Sequence, residues 1–174
     1  MNNTMLLLPH LEFEFRLGKK QETFNSDIGI ERFKKLQKVL LHHKGWNDVK
    51  YTETTDNFYG KIRKTESCDQ AITKKKLHNE ITKVSSDFDI RLSLSQEIPC
   101  EVCNSIVTKC RKKDRISFFH KNWCIDTTRV SEGENTAYEV ELEFFEDYVK
   151  LHSFEYLKSE GLKQLVHLLA CSNI

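Results

Sequence analysis

The sequence predicts a mainly β fold of the α+β class, in which antiparallel strands close into a barrel with flanking helices. The chain has 174 residues with only six Gly and two Pro, which is typical of one compact globular domain over residues 1–174. Its middle part reads as short β-rich stretches, and only one stretch near each end has helical periodicity. Because open sheets leave unpaired edges, a closed barrel is the economical arrangement for so many strands.

The first two elements are a strand and a helix. Residues 11–17 alternate apolar and charged side chains without a fault, which is the period-2 pattern of a strand with one packed face. Apolar residues then recur at helical spacing: Ile30, Phe33, Leu36 and Leu40. We expect Asp27, after Ser26, to cap this helix and Gly45 to end it.

Five or six strands are expected in the middle of the chain, and seven stretches are candidates for them. The best candidate stretches are residues 49–54, 58–65, 71–83, 88–97, 105–112, 115–120 and 123–130. Residues 138–145 repeat the alternation of the first strand. An amphipathic helix is expected to close the chain at about residues 153–171, with a weak point at Gly161.

Charge is balanced overall but segregated along the chain. The 27 Lys and Arg residues against 26 Asp and Glu give a net charge of +1, which argues against a protein that holds a nucleic-acid backbone by global charge alone. Residues 61–83 contain seven basic and three acidic residues, and residues 109–121 contain six basic residues and one acidic residue. Residues 132–147 contain seven acidic and no basic residues. Any charged binding surface is therefore local.

The six cysteines do not form a recognisable framework. They stand at positions 68, 100, 103, 110, 124 and 171. The Cys100-x-x-Cys103 pair has no second pair at finger-like spacing, so we predict reduced thiols rather than a zinc site. The apolar run at residues 5–8 is too short for a signal peptide or a membrane span, which predicts an intracellular protein without a membrane partner.

Glutamates form rows on two strands. Glu12 and Glu14 share one face of the first strand, and Glu139, Glu141 and Glu143 share one face of the last. Such neighbours lie about 7 Å apart, so their charge is costly unless water, a cation or basic side chains neutralise it. A solvated polar face is the alternative. If the first and last strands meet to close a barrel, five carboxylates line one wall.

Basic residues follow the same two-residue period. They are Lys61 and Arg63, Lys74 and Lys76, and Arg111, Lys113 and Arg115. A basic wall facing an acidic wall across a barrel lumen suits a polyanion together with a divalent cation, because carboxylates hold the metal and Arg or Lys hold phosphate oxygens. A charged exterior with cross-strand ion pairs is the alternative.

These motifs resemble a known superfamily. Leu-Glu-Phe-Glu-Phe-Arg-Leu-Gly at residues 11–18 and Tyr-Glu-Val-Glu-Leu-Glu-Phe at residues 138–144 resemble the paired glutamate strands of the triphosphate tunnel metalloenzymes. Residues 89–99, 111–118 and 123–130 narrow the resemblance to the metal-dependent RNA 5'-triphosphatases of mRNA cap synthesis in fungi, protozoa and large DNA viruses. The resemblance covers nearly the whole chain and implies an eight-stranded antiparallel tunnel with a hydrophilic interior and helices on its apolar outside.

The resemblance also implies a metal site. Glu12, Glu14 and Glu143 would contact Mg²⁺ or Mn²⁺ directly, and Glu141 and Asp126 would reach the ion through water.

Phosphate binding and water activation are implied in the same way. Arg63, Lys113 and Arg115 resemble the catalytic side chains that grip the terminal phosphate, and Glu97 resembles the residue that orients the attacking water. Glu101 is the alternative to Glu97. Further phosphate contacts are expected from Arg111, Arg91 and Lys76, and Lys74 is another residue that could face the lumen. Arg16 and Glu139 are expected to brace opposite charges within the tunnel.

The implied activity is removal of the γ-phosphate from nascent RNA, the first step of mRNA capping. An inorganic or thiamine triphosphatase, an NTPase, or a non-catalytic barrel that binds polyphosphate or RNA ends is the alternative. The chain has neither a P-loop nor a Lys-x-Asp-Gly guanylyl-acceptor motif. We therefore expect 5'-triphosphate RNA, NTPs or triphosphate as substrates and a guanylyltransferase in trans or in a missing domain. The expected location is the nucleus or cytoplasm, or a viral factory or virion for a viral protein.

Overall fold

The structure is a computed structural model that describes residues 8–103 and 106–173. Most of the apolar run at residues 5–8, and the first residue of the strand predicted over 105–112, lie outside this part of the chain. The strands are β1 Leu11–Lys20, β2 Phe24–Asn25, β3 Asp48–Tyr59, β4 Ile62–Thr65, β5 Ala71–Lys83, β6 Asp89–Cys100, β7 Lys109–Phe119, β8 Trp123–Glu132 and β9 Asn135–Phe144. The helices are α1 Ile30–His42, α2 Glu146–Leu151 and α3 Phe154–Ser172.

Eight of these strands close into an antiparallel barrel. Their order is β1-β6-β5-β4-β3-β7-β8-β9, and β9 pairs back to β1. The short strand β2 pairs with the end of β1 outside this ring. At the closing seam Glu14 lies opposite Glu143, and Arg16 lies opposite Glu141. The predicted closed eight-stranded barrel with flanking helices is therefore confirmed.

Two predicted strand boundaries are wrong. β3 continues through residues 55–57, and the break falls instead at the turn of residues 60–61, where Gly60 has φ 65°. Residues 109–112 of the first and 115–119 of the second of two predicted stretches, 105–112 and 115–120, belong to the single strand β7, whereas residues 106–108 are not in a strand. The reason is tertiary: β3 and β7 pair over their whole length, from Asp48 opposite Phe119 to Phe58 opposite Lys109, so the ladder overrides the locally polar composition.

The predicted ends of α1 are also wrong. Gly29, not Asp27, occupies the N-cap position, and the helix ends at His42 rather than at Gly45. The Asp27 carboxylate instead accepts hydrogen bonds from the backbone N–H groups of Gly29 (3.0 Å) and Tyr138 (2.9 Å). It therefore fastens the chain before α1 to β9. The sequence pattern did not predict α2.

The apolar core lies outside the barrel, beneath the helices. Phe13, Phe15 and Leu17 on β1 are fully buried, and the Phe13 ring packs against the tilted Phe154 ring of α3 at a centroid distance of 5.5 Å. Because successive strand residues point to opposite faces, packing these rings outward turns the alternating glutamates inward. Among the described helices, none combines the length and apolar character needed to cross a membrane.

Candidate active site in the barrel lumen

The barrel encloses a polar cavity of about 500 Å³. Its acidic lining residues are Glu12, Glu14, Asp56, Glu139, Glu141 and Glu143. Its basic lining residues are Arg16, Arg63, Lys74, Lys76, Arg91, Arg111, Lys113 and Arg115. Eight basic against six acidic groups give the described lining a net positive charge, which favours an anionic ligand.

The five glutamates of β1 and β9 meet in this cavity because the barrel closes between those strands. Most of them have a basic partner. Lys74 pairs with Glu12, and Arg16 pairs with Glu141 and, at 3.4 Å, with Glu14. Burial would raise the pKa of Glu141, but the charges of Arg16 and Arg115 hold it below its ordinary value.

Glu143 is the exception. No Lys or Arg of the described residues forms an ion pair with it. Burial raises its pKa to about 8, and the negative charges of Glu12, Glu14, Asp126 and Glu141 act in the same direction. A buried carboxylate among carboxylates is stable in its ionised form only beside a cation. Glu143 therefore marks where the lumen lacks positive charge.

Asp126 is a second acidic residue beside Glu143, and its bonding capacity is only partly met. It is only 4% exposed, and it lies opposite Glu141 on the lumen face of β8. Its Oδ2 pairs with Arg115 at 2.9 Å, whereas its Oδ1 accepts no hydrogen bond of good geometry from residues 8–103 or 106–173. Burial raises the pKa of Asp126 in spite of Arg115. A set of carboxylate oxygens with unmet bonding capacity is the donor set that Mg²⁺ or Mn²⁺ prefers, so these residues fit a hard divalent cation.

Each predicted phosphate ligand lines the cavity, but the two predicted walls are interleaved. Lys113 pairs with Asp56 at 2.5 Å, and Arg111 pairs with Glu139 at 3.2 Å. Arg115 lies between Asp126 and Glu141. Instead of a basic wall facing an acidic one, the lumen therefore holds cations already oriented by carboxylates. Lys61 lies in the exposed turn after β3 and does not share the strand of Arg63.

Glu97 lies at the side of the cavity rather than in its lining. Its Oε1 accepts a hydrogen bond from Nη2 of Arg63 at 2.7 Å, and its side chain is about one quarter exposed. It also lies near enough to Glu12 to act on its pKa, which burial raises first and Lys74 opposes. Glu101 is exposed and follows the end of β6, so the structure does not bring it to the lumen.

The remaining predicted residues have distinct surroundings. Arg16 contacts Glu14, Glu141 and, at 3.9 Å, Glu139. Burial would lower its pKa, but these carboxylates raise it above its ordinary value. Arg91 lines the cavity with its guanidinium over the Phe24 ring at 4.7 Å. Lys74 and Lys76 both line the cavity.

Asp56 is a charged lining residue that the sequence pattern did not indicate. It is 2% exposed and positions Lys113, and Thr65 donates a hydrogen bond to it at 2.6 Å. The missing signal was its period-2 spacing with Thr52, Thr54 and Phe58, which also line the cavity. The break predicted at residues 55–57 hid this alternation.

The chain is similar in sequence to a known protein family and to two fungal proteins. Residues 14–169 match the family model described as "mRNA capping enzyme, beta chain". The mRNA-capping enzyme subunit beta of Candida albicans is 35% identical over 147 residues, which are 78% of this chain and 27% of that protein. The subunit of the same name from Yarrowia lipolytica is 43% identical over 56 residues, which are 32% of this chain and 14% of that protein. The chain therefore spans about a quarter or less of the length of these relatives.

A solved structure has the same fold. The Pct1 RNA triphosphatase of S. pombe superposes with a TM-score of 0.75 and 20% sequence identity, over 95% of this chain and 88% of that chain. At this identity the likeness concerns the fold.

Proposed function

Because the chain belongs to the family of mRNA capping enzyme beta chains, we propose that it is a metal-dependent polynucleotide 5'-triphosphatase. It removes the γ-phosphate from the 5' end of nascent RNA, which is the first step of capping. The observation that carries this proposal is Glu143, a half-buried carboxylate with no basic partner among the described residues, in a lumen that is otherwise rich in Arg and Lys. Such a lumen suits a metal ion and a polyphosphate bound together.

Glu12, Glu14 and Glu143 are the residues proposed to hold Mg²⁺ or Mn²⁺ directly. Glu141 and Asp126 are proposed to act through water, as the resemblance to the triphosphate tunnel metalloenzymes implies. When bound, the divalent cation offsets negative charge on the terminal phosphate as its P–O bond breaks. Arg16 and Lys74 keep the neighbouring carboxylates ionised and oriented, so little reorganisation is needed when the cation enters.

Arg63, Lys113 and Arg115 are proposed to bind the oxygens of the γ-phosphate. Arginine offers paired N–H donors to phosphate, and lysine adds a compact positive charge. Asp56 and Asp126 hold Lys113 and Arg115 in place before the substrate arrives. Preorganised cations of this kind stabilise the charge that develops during phosphoryl transfer. Arg111, Arg91 and Lys76 are proposed to bind the remaining phosphates.

Glu97 is proposed to orient the attacking water. Its hydrogen bond to Arg63 fixes it beside a phosphate ligand, so the water and the γ-phosphate are positioned by one ion pair. Attack in line on phosphorus releases inorganic phosphate and leaves a diphosphate end, without a covalent phosphoenzyme.

The test is release of labelled γ-phosphate from 5'-triphosphate RNA with Mg²⁺ or Mn²⁺, in the presence of unlabelled inorganic triphosphate. We expect Glu12→Ala and Glu143→Ala each to lower the rate by about a hundredfold or more. Glu134→Ala, in an exposed turn, is the matched control and should leave the rate unchanged. A strong preference for triphosphate would instead indicate an inorganic triphosphatase. No release with any metal would indicate a non-catalytic barrel.

We infer that a guanylyltransferase, in trans or in a missing domain, receives the diphosphate-ended RNA, because this chain lacks a guanylyl-acceptor motif. The proposed location is the nucleus or cytoplasm. Both curated relatives are fungal and give no support to a viral source.

A further inference from the structure

A cysteine lies on the lumen face next to the glutamates. Cys124 on β8 is directly opposite Glu143 on β9 and two residues before Asp126. Its side chain is only 6% exposed. The Cys124 sulfur and one carboxylate oxygen each from Asp126 and Glu143 all lie within 4.8 Å of one another. The sequence pattern predicted only a reduced thiol at this position, and Glu143 comes beside it through the pairing of β8 with β9.

Two of these three residues have unmet bonding capacity. Asp126 is buried, and its Oδ1 accepts no hydrogen bond of good geometry among the described residues, although the nearby Ser117 hydroxyl lowers its pKa. Buried polar atoms are nearly always satisfied in folded proteins, so an unsatisfied one needs a ligand or another explanation. Glu143 likewise has no Lys or Arg partner in the described part of the chain. The Cys124 thiol therefore lies beside two carboxylates that can still bind a cation.

The sulfur changes which metal the group prefers. Carboxylate oxygens alone suit Mg²⁺ and Mn²⁺, whereas a thiolate selects softer ions. In a tetrahedral zinc site the metal–ligand distances are about 2.0–2.3 Å, so neighbouring ligand atoms lie about 3.5 Å from one another. Modest side-chain rotations bring the sulfur and the two carboxylate oxygens to this spacing. We propose that Cys124, Asp126 and Glu143 form a site for a thiophilic divalent cation, Zn²⁺ or Cd²⁺, on the wall of the lumen.

Binding forms a metal–sulfur bond, and the thiol proton leaves to solvent. The fourth position stays open to water or to a phosphate oxygen. Because Glu143 is also a proposed ligand of the activating Mg²⁺ or Mn²⁺, the two kinds of ion compete for it. This consequence rests on the proposed function: a thiophilic ion is expected to inhibit γ-phosphate release. The site itself does not depend on that activity.

The test is a Cd²⁺ titration followed by the ultraviolet cadmium–thiolate charge-transfer band and by calorimetry. It uses the full chain with the other cysteines replaced by serine, which are exposed or half-buried: Cys68, Cys100, Cys103, Cys110 and Cys171. We expect one thiolate band per bound Cd²⁺ in this variant, and no band when Cys124→Ser is added. Asp126→Asn keeps the thiol and should weaken Cd²⁺ binding at least about tenfold.

The outcomes separate this proposal from the proposed function. Absence of the band in the single-thiol variant, or unchanged Cd²⁺ affinity in both Cys124→Ser and Asp126→Asn, overturns the site. A Cd²⁺ affinity that saturating Mn²⁺ leaves unchanged overturns the sharing of Glu143. Far-ultraviolet circular dichroism confirms that each variant is folded. Because none of these measurements uses hydrolysis, the cadmium result stands even for a chain that releases no phosphate.

Discussion

Single residues in the lumen owe their properties to the charges that the barrel places around them. Glu12, Glu14 and Glu143 lie within one cavity, yet only the first two have basic partners in the described structure. Each basic partner favours the ionised form of its carboxylate, although solvent screens the exposed Lys74 more than the half-buried Arg16. The unpaired carboxylate is therefore the residue most sensitive to pH and to a bound cation.

Replacement of Glu143 by glutamine should alter the pH dependence of stability. The pKa of Glu143 is raised from 4.5 to about 8 by burial, so the folded chain holds this proton more tightly than the unfolded chain. Its stabilising contribution is fully present below about pH 4.5 and is lost as the pH rises through about 8. We expect the free energy of unfolding of the metal-free protein to fall over this window, and Glu143→Gln to reduce the fall.

Urea unfolding in EDTA at several pH values measures this effect, with Glu134→Gln as the exposed control. Added Mn²⁺ should raise the melting temperature more at about pH 8 than at about pH 5, because it binds the ionised carboxylate. Equal pH slopes for Glu143→Gln and the unmodified chain would contradict the assignment.

At the scale of elements, the close contact of α3 with β1 explains why a glycine, Gly161, stands inside a helix. The helical pattern of residues 153–171 indicated a weak point at Gly161. In the structure Gly161 is buried against Phe15, and a Cβ built on it would lie 2.2 Å from Phe15 Cε2. The glycine lets the helix approach the outer face of the barrel, so its role is in packing.

Gly161→Ala is therefore expected to destabilise the protein. In an exposed helix interior the change would stabilise by up to about 1 kcal/mol, but overpacking a well-filled core costs about 1–3 kcal/mol. Urea unfolding measures the difference, and Ser159→Ala on the exposed side of α3 should stay within about 0.5 kcal/mol. A more stable Gly161→Ala protein would show that Phe15 moves aside without cost.

At the scale of the whole molecule, a net charge of +1 conceals a strongly charged interior. The barrel gathers basic residues of β5 and β7 and acidic residues of β1 and β9 into one lumen. Added salt should therefore weaken substrate binding, as it does for a basic protein, because the positive potential inside the cavity attracts the polyanion.

Lys76→Gln tests this expectation. For single-stranded RNA with a 5'-triphosphate, each lost phosphate contact reduces the slope of log Kd against log salt by about 0.7. Lys75→Gln is the matched control, because adjacent strand residues point to opposite faces and Lys75 does not line the cavity. Fluorescence anisotropy in EDTA gives both slopes. Identical slopes for the two variants would place the RNA elsewhere.

The sequence by itself determined the features that depend on local alternation. In β1 and β9 every second residue is apolar, so the inward glutamates and the outward phenylalanines could be assigned before the strands were paired. The sequence also predicted that the barrel is closed, because with many strands and few helices the sheet edges are paired most simply with each other. Five carboxylates in one lumen were thus predictable.

Only the tertiary structure decided the features that depend on a partner strand. The continuity of β3 and β7 comes from their mutual ladder. That ladder places Asp56 opposite Arg111 and beside Lys113, with which it forms an ion pair. Cys124 joins Glu143 through the β8–β9 register, nineteen residues apart in the chain. Period and hydropathy are properties of one segment, whereas ion pairing and burial are properties of two segments in a given register. That register is set by the packing of the whole barrel.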